Sequence, residues 1–119
     1  MRFSVTPTFA AKARMSWPSE DTANGFKPVE FDCRFKAIEN DPAKHQALKK
    51  KQSDEGPIAF LNEVLIDVKF RDGDEFADDE GNALTAIEFV KRNKIAAGAA
   101  SIAFWDVINR DIEAKNSKS

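Results

Sequence analysis

The chain has one cysteine, one histidine and no tyrosine in 119 residues. A lone cysteine, Cys33, excludes an internal disulfide, so the fold must rest on packing. The lone histidine, His45, has no cysteine or second histidine at ligand spacing, which removes a zinc site. No uninterrupted apolar run approaches the roughly 20 residues that span a bilayer. Met1 to Phe9 lack the apolar core of a secretory signal, and a reducing cytoplasm is the expected compartment. There is no Gly-rich phosphate loop and no Gly-x-Ser-x-Gly turn. An excess of one charge sign is missing too. The 18 Lys and Arg against 20 Asp and Glu leave a net charge of −2, which gives no global pull toward nucleic acid or an anionic membrane.

What the chain does have is a globular composition, 42% hydrophobic and 32% charged. Residues 1–119 read as a single domain, long enough to bury a core without staples. Ten phenylalanines beside the absent tyrosine point to purely apolar aromatic packing.

The pattern is α+β: an N-terminal antiparallel β-hairpin over about 9–36, then about four α-helices over about 41–115, and a frayed tail at 115–119. Phe9, Ala11, Ala13, Met15 and Trp17 alternate with Lys12, Arg14 and Ser16. Val29, Phe31, Cys33 and Phe35 alternate with Glu30, Asp32, Arg34 and Lys36. That period of two predicts two half-buried strands joined at the Asn24-Gly25 turn. A lone hairpin is marginal, so its apolar face must lie on helices or another strand. Phe3 and Val5 offer part of a third strand that Pro7 cuts short. Asn40-Asp41-Pro42 opens a polar helix to about Gln52, loosely held because Leu48 is its one large apolar residue. Thr85 to Glu88 spells a capping box for a helix to about Arg92. The last helix, about Ile95 to Ala114, opens with small residues that allow close approach and continues with bulky ones.

The centre of the pattern is the stretch from Pro57. Ile58, Leu61, Val64, Leu65 and Val68 recur at helical spacing, with Pro57 suited to the first turn. Ala59, Phe60, Ile66 and Phe70 lie off that stripe. Two readings follow: a central helix buried all round, or a helix with a second face for another protein.

Tests for chemistry come out bland. An EF-hand alignment of the acidic loop 71–82 puts Phe76 or Val68 at the first ligand position, so the expectation is a solvated, turn-rich loop and no metal. Cys33 belongs to the inward face of its strand, the setting of an inert thiol. Glu63 and Asp67, four apart on the expected helix, read as surface acids. No cofactor is expected, and the chain reads as a non-enzyme.

The order of parts carries a resemblance. A strand hairpin ends in Phe31-Asp32-Cys33-Arg34-Phe35-Lys36-Ala37-Ile38. After a polar helix come Phe60-Leu61-Asn62-Glu63-Val64-Leu65-Ile66 and the acidic turn Asp78-Asp79-Glu80-Gly81-Asn82-Ala83-Leu84. Two helices then lead to Phe104-Trp105 and a Lys/Asn-rich tail. Over about Phe9 to Asn116 this resembles the tail assembly chaperones of long-tailed bacteriophages. It departs from them at Asp67-Val68, where Gly-Trp is the commoner pair, and in a longer acidic loop.

The resemblance implies a host-cytoplasmic protein, absent from the finished virion, that binds the tape measure protein, keeps it soluble and helps recruit tail tube subunits. It implies no nucleic acid or membrane partner. Phe60, Ile66, Phe70, Trp105 and Ile112 are the candidate partner-binding residues, as an apolar groove for an amphipathic helix requires. Left-over apolar patches also invite a homo-oligomer. The alternatives are a structural tail or head–tail joining subunit, and a small adaptor using the acidic loop.

Overall fold

The computed structural model describes residues 3–38 and 41–116, with side chains to residue 110. The expected hairpin is there. Strands β1 (Thr8–Pro18) and β2 (Phe26–Lys36) pair antiparallel in unbroken register from Thr8↔Lys36 to Pro18↔Phe26. The connection is a closed loop: the Ser19 N–H donates to the Gly25 carbonyl at 2.8 Å and the Gly25 N–H to that of Thr22 at 3.1 Å. Gly25 sits at φ 80°, the left-handed geometry that glycine adopts without a Cβ penalty. Period-two alternation sorts the side chains as expected. Ala13, Met15, Phe31, Cys33 and Phe35 are buried, while Lys12, Arg14, Glu30 and Asp32 face water.

The main departure comes after Pro57. The expected long helix stops at Val64 and the chain turns into a strand. Helix α2 (Pro57–Val64) ends with Leu65 at φ −81°, ψ 123°, and strand β3 (Leu65–Lys69) then pairs antiparallel with β2 in the sheet order β1-β2-β3. The reason is a competition between two periods in one stretch. Leu61, Val64 and Leu65 satisfy helical spacing, but Asp67-Val68-Lys69 alternates, and Ile66 and Val68 are β-branched. A two-stranded hairpin with the apolar row Phe31, Cys33, Phe35 needs covering along its second edge, and that tertiary demand decides the conformation. The third strand therefore comes from residues 65–69, not from Phe3 and Val5, which lie in solvent ahead of β1 at 86% and 99% exposure.

Among the described residues the last two helices pack most closely on this sheet, and the first two pack on each other and, through the second, on the last. Helix α1 (Pro42–Glu55) starts at Asp41, whose carboxylate accepts from the Ala43 N–H at 2.9 Å, with Pro42 in the first turn. Asn40 of the expected cap lies outside the described residues, as do tail residues 117–119. The acidic loop leads into a short hairpin of β4 (Phe76–Ala77) and β5 (Ala83–Leu84). Helix α3 (Ala86–Arg92) carries the predicted capping box: Thr85 Oγ1 accepts from the Glu88 N–H at 3.3 Å, and the Glu88 carboxylate accepts from the Thr85 N–H at 3.2 Å. Helix α4 (Lys94–Asn116) packs across β1, with Ala96, Ala97 and Ala100 fully buried at the crossing.

The core is a single cluster between sheet and helices. Phe35, Phe60 and Phe104 are its largest fully buried side chains, each worth roughly 1.5–3 kcal/mol in removal from water. Phe104 meets Phe35 and Phe60 edge-on, with ring centroids 5.2 Å apart in both pairs. A second aromatic group joins sheet to β4 and α3: Phe70 stacks on Phe31 at 4.5 Å and meets Phe76 at 4.7 Å. Rings without hydroxyls can meet face and edge inside such clusters and leave no polar group to satisfy, in keeping with ten Phe and no Tyr beside two Trp.

Candidate partner-binding surface

The five residues expected to form one surface do not come together. Phe60 is fully buried, stacked on the Trp105 indole at 5.6 Å, so it belongs to the core and offers a partner nothing. Phe70 is half-buried and is taken up by Phe31, Phe76 and Phe89. The side chain of Ile112 lies outside the described residues. Trp105 is half-buried, and its indole N–H donates to Gln52 Oε1 at 2.8 Å. Lys49 Nζ lies 5.2 Å from the indole centroid, and the His45 ring lies edge-on at 6.2 Å. Trp105 thus fastens α1 to the body of the fold. The expectation of a loosely held α1 is corrected by the same contacts, since His45 is only 8% exposed.

Among the four candidates whose side chains are described, Ile66 is the one that lines an open cleft. Arg34 pairs with Asp67 and Phe35 with Leu65, so Ile66 is the extra residue of a β-bulge. A bulge re-aims the side chain it carries. Here Ile66 stays half-buried and lines a two-lobed cleft at the end of the sheet, both lobes sharing Pro7, the larger lined also by Val5 and Ile38 and the smaller by Phe3. The larger lobe has a volume of about 630 Å³ and the smaller about 460 Å³.

Two further apolar surfaces lie in residues not singled out by their sequence pattern. Ile95 and Ile102 on α4 are 41% and 65% exposed. They are seven residues apart, on the face shared with Asp106 and Asn109. Counting that face along with the bulky one would have found them. Phe26, at the start of β2, is 51% exposed. Phe3 and Val5, expected as part of a third strand, instead stand in solvent beside the cleft.

The groups considered for chemistry are separated or occupied. Cys33 is 1% exposed, and burial pushes its thiol up to about 12. Glu63 sits on α2 and pairs with Lys51 at 3.3 Å, whereas Asp67 sits on β3 and accepts from the Val68 N–H at 2.9 Å; the expected helical i, i+4 pair of acids does not form. In the acidic loop, Asp78 Oδ1 accepts from the N–H groups of Glu80 and Asn82, both at 2.9 Å, and Oδ2 from the Asn82 side-chain amide at 3.2 Å. These bonds, the Asn82 N–H foremost, hold the Asp78 carboxyl below its usual range. Among the described residues no three His, Cys, Asp or Glu side chains gather as a metal site would require, and no helix is long and apolar enough to cross a membrane.

Comparison with known protein families, with curated proteins and with solved structures returns no match.

Proposed function

We propose that this protein is a tail assembly chaperone of a long-tailed bacteriophage. In this reading it binds the tape measure protein in the host cytoplasm, keeps it soluble, helps recruit tail tube subunits around it, and leaves before the virion is complete. It performs no catalytic step and uses no cofactor, nucleic acid or membrane.

One observation carries the reading. A domain with a close-packed aromatic core and a well-charged surface nonetheless leaves Phe3 and Val5 in water at 86% and 99% exposure beside a cleft lined by Ile66, and Ile102 at 65% on the separate α4 surface. Large apolar side chains grouped at the surface mark contact sites, and a holder of amphipathic helices needs several of them on a soluble body. The sequence resemblance over Phe9 to Asn116 points the same way.

The test is co-expression with the tape measure protein of the same genome, scored by solubility and co-purification. The expected result is a soluble, co-purifying tape measure protein, with the double variant Val5→Glu, Ile102→Glu folding normally and losing that effect. An insoluble tape measure protein, with this chain found in purified particles, would make it a structural tail or head–tail joining subunit instead.

A further inference from the structure

We infer that the cleft at the end of the sheet recognises an acidic-apolar peptide segment: a bulky aliphatic or aromatic side chain seated against Ile66, Pro7 and Ile38, with an Asp or Glu beside it held by Arg34 and Lys36. The inference deepens the chaperone reading and rests on it for the biological source of the segment, not for the chemistry of the site.

The apolar half of the argument is geometric. The β-bulge makes Ile66 the residue left out of the ladder, and it lines the cleft together with Pro7, whose carbonyl accepts the Ala37 N–H at 2.9 Å. The larger lobe, at about 630 Å³, falls in the size range of sites that take several side chains or a small ligand.

The charged half is an imbalance. Arg34 borders one lobe and Lys36 the other, and among the described residues no acidic one lines either. Higher up the hairpin Arg14 and Lys12 share an acid: Arg14 Nε donates to Glu30 Oε1 at 3.1 Å and Lys12 Nζ lies 3.8 Å from Glu30 Oε2. Arg34 has an acid opposite it in register, Asp67, but that carboxylate is turned to the Val68 N–H. Among the described residues neither Arg34 nor Lys36 forms an ion pair. Lys36 stands at the rim of the larger, apolar lobe and Arg34 at that of the smaller, more polar one, and two unmatched cations so placed complement a carboxylate next to an apolar anchor. An Arg is suited to bidentate capture of a carboxylate, and rim charges govern which partner docks.

The test uses the full-length, isotope-labelled protein titrated by NMR with synthetic peptides of equal length. One is built on Leu and Glu, one on Leu and Lys, one on Ser and Glu. The Leu/Glu peptide is expected to bind, with shifts centred on Thr8, Lys36, Ile38 and Ile66, and to bind more weakly as salt is added. The Leu/Lys and Ser/Glu peptides are expected to bind at least about tenfold more weakly, and the double variant Arg34→Ala, Lys36→Ala to lose about tenfold for the Leu/Glu peptide alone. Both substituted side chains are exposed, and an unchanged amide spectrum elsewhere certifies the fold. Equal binding of the Leu/Lys peptide, shifts centred on α4, or concentration-dependent shifts of the cleft with no peptide present would each overturn the proposal, the last by making a second copy the occupant. The chaperone reading fails separately. If the Leu/Glu peptide seats in the cleft and the tape measure protein still precipitates, the site stands without that source. If the tape measure protein is solubilised equally by the Arg34, Lys36 double variant, the chaperone stands and the cleft proposal falls.

Discussion

The Trp105 indole N–H donates to Gln52 Oε1 across 2.8 Å, joining α4 to α1 through side chains 53 positions apart. Helix α1 is otherwise polar, with His45 its only buried residue, so this bond is a principal fastening. Removing the acceptor in Gln52→Ala leaves a half-buried donor unmatched, and the expected loss is about 1–2 kcal/mol. Trp105→Phe keeps a stacked ring on Phe60 and loses the donor, so it should cost a similar amount for the bond plus a smaller packing loss. Urea unfolding of both single variants and the double variant checks this. The double variant should lose distinctly less than the sum, because the second change has no bond left to break.

Burial separates core from contact surface among the apolar residues. Phe60→Ala empties a site bounded by Phe104 and Trp105 and should cost about 3–5 kcal/mol, a large part of the stability of a domain this size. Ile102→Ser, at 65% exposure, should change stability by no more than about 0.5 kcal/mol. The same two variants in the tape measure solubility assay should show the reverse order among molecules that are folded. Thermal unfolding followed by circular dichroism supplies the stability values.

Local rules read the starts of α1 and α3 correctly because the chemistry there is local. Asp41-Pro42 opened α1, the Thr85 to Glu88 capping box opened α3, and alternation gave both long strands with their inward rows. The Leu65–Lys69 strand was illegible for a physical reason: Leu61, Val64 and Leu65 suit a helix and a core equally well. Only the open edge of β2, distant in sequence, decides that the chain must extend there. The site was less legible still. Ile66 is surplus to a helical stripe in the sequence, but the cleft depends on the bulge that frees it, a consequence of register. Phe60, Phe70 and Trp105 have the composition of a docking surface and the location of a core, and composition does not distinguish the two.

Cys33 lies on the inward face between Phe31 and Phe35, and burial raises its thiol from 9.0 to about 12. A thiol is reactive as the thiolate, so the native protein should react with a disulfide reagent at neutral pH orders of magnitude more slowly than the urea-unfolded chain. The sign of the linkage follows. With the folded value above the unfolded one, the contribution of Cys33 to stability is intact below about 9 and is lost as pH rises toward about 12. Cys33→Ala should remove that part of the alkaline decline. Rates of thiol labelling against urea concentration, and unfolding midpoints across the alkaline range, check both statements.

Acid should weaken the fold through three exposed carboxylates held by hydrogen bonds. Glu30 is lowered by its bond from Arg14 and by that residue's charge, Asp78 by the Asn82 N–H, and Glu88 by Thr85, through its side chain and then its backbone. In each case the unfolded chain takes up its proton at a higher pH than the native one. The stabilisation is therefore complete above the ordinary carboxylate values, 4.5 for Glu and 3.8 for Asp, and disappears as pH falls through the lower native values. Added salt should weaken the Glu30 part most, since that pair is exposed to solvent and held partly by charge, and the Asp78 and Glu88 parts least, since backbone and hydroxyl donors hold them. The expected outcome in urea unfolding is a flat stability from neutral pH to the upper edge of the carboxylate range, then a decline. Glu30→Gln should make that decline shallower at low salt only. Asp78→Asn and Glu88→Gln should do so at both low and high salt, since the loop and capping-box bonds do not depend on screening.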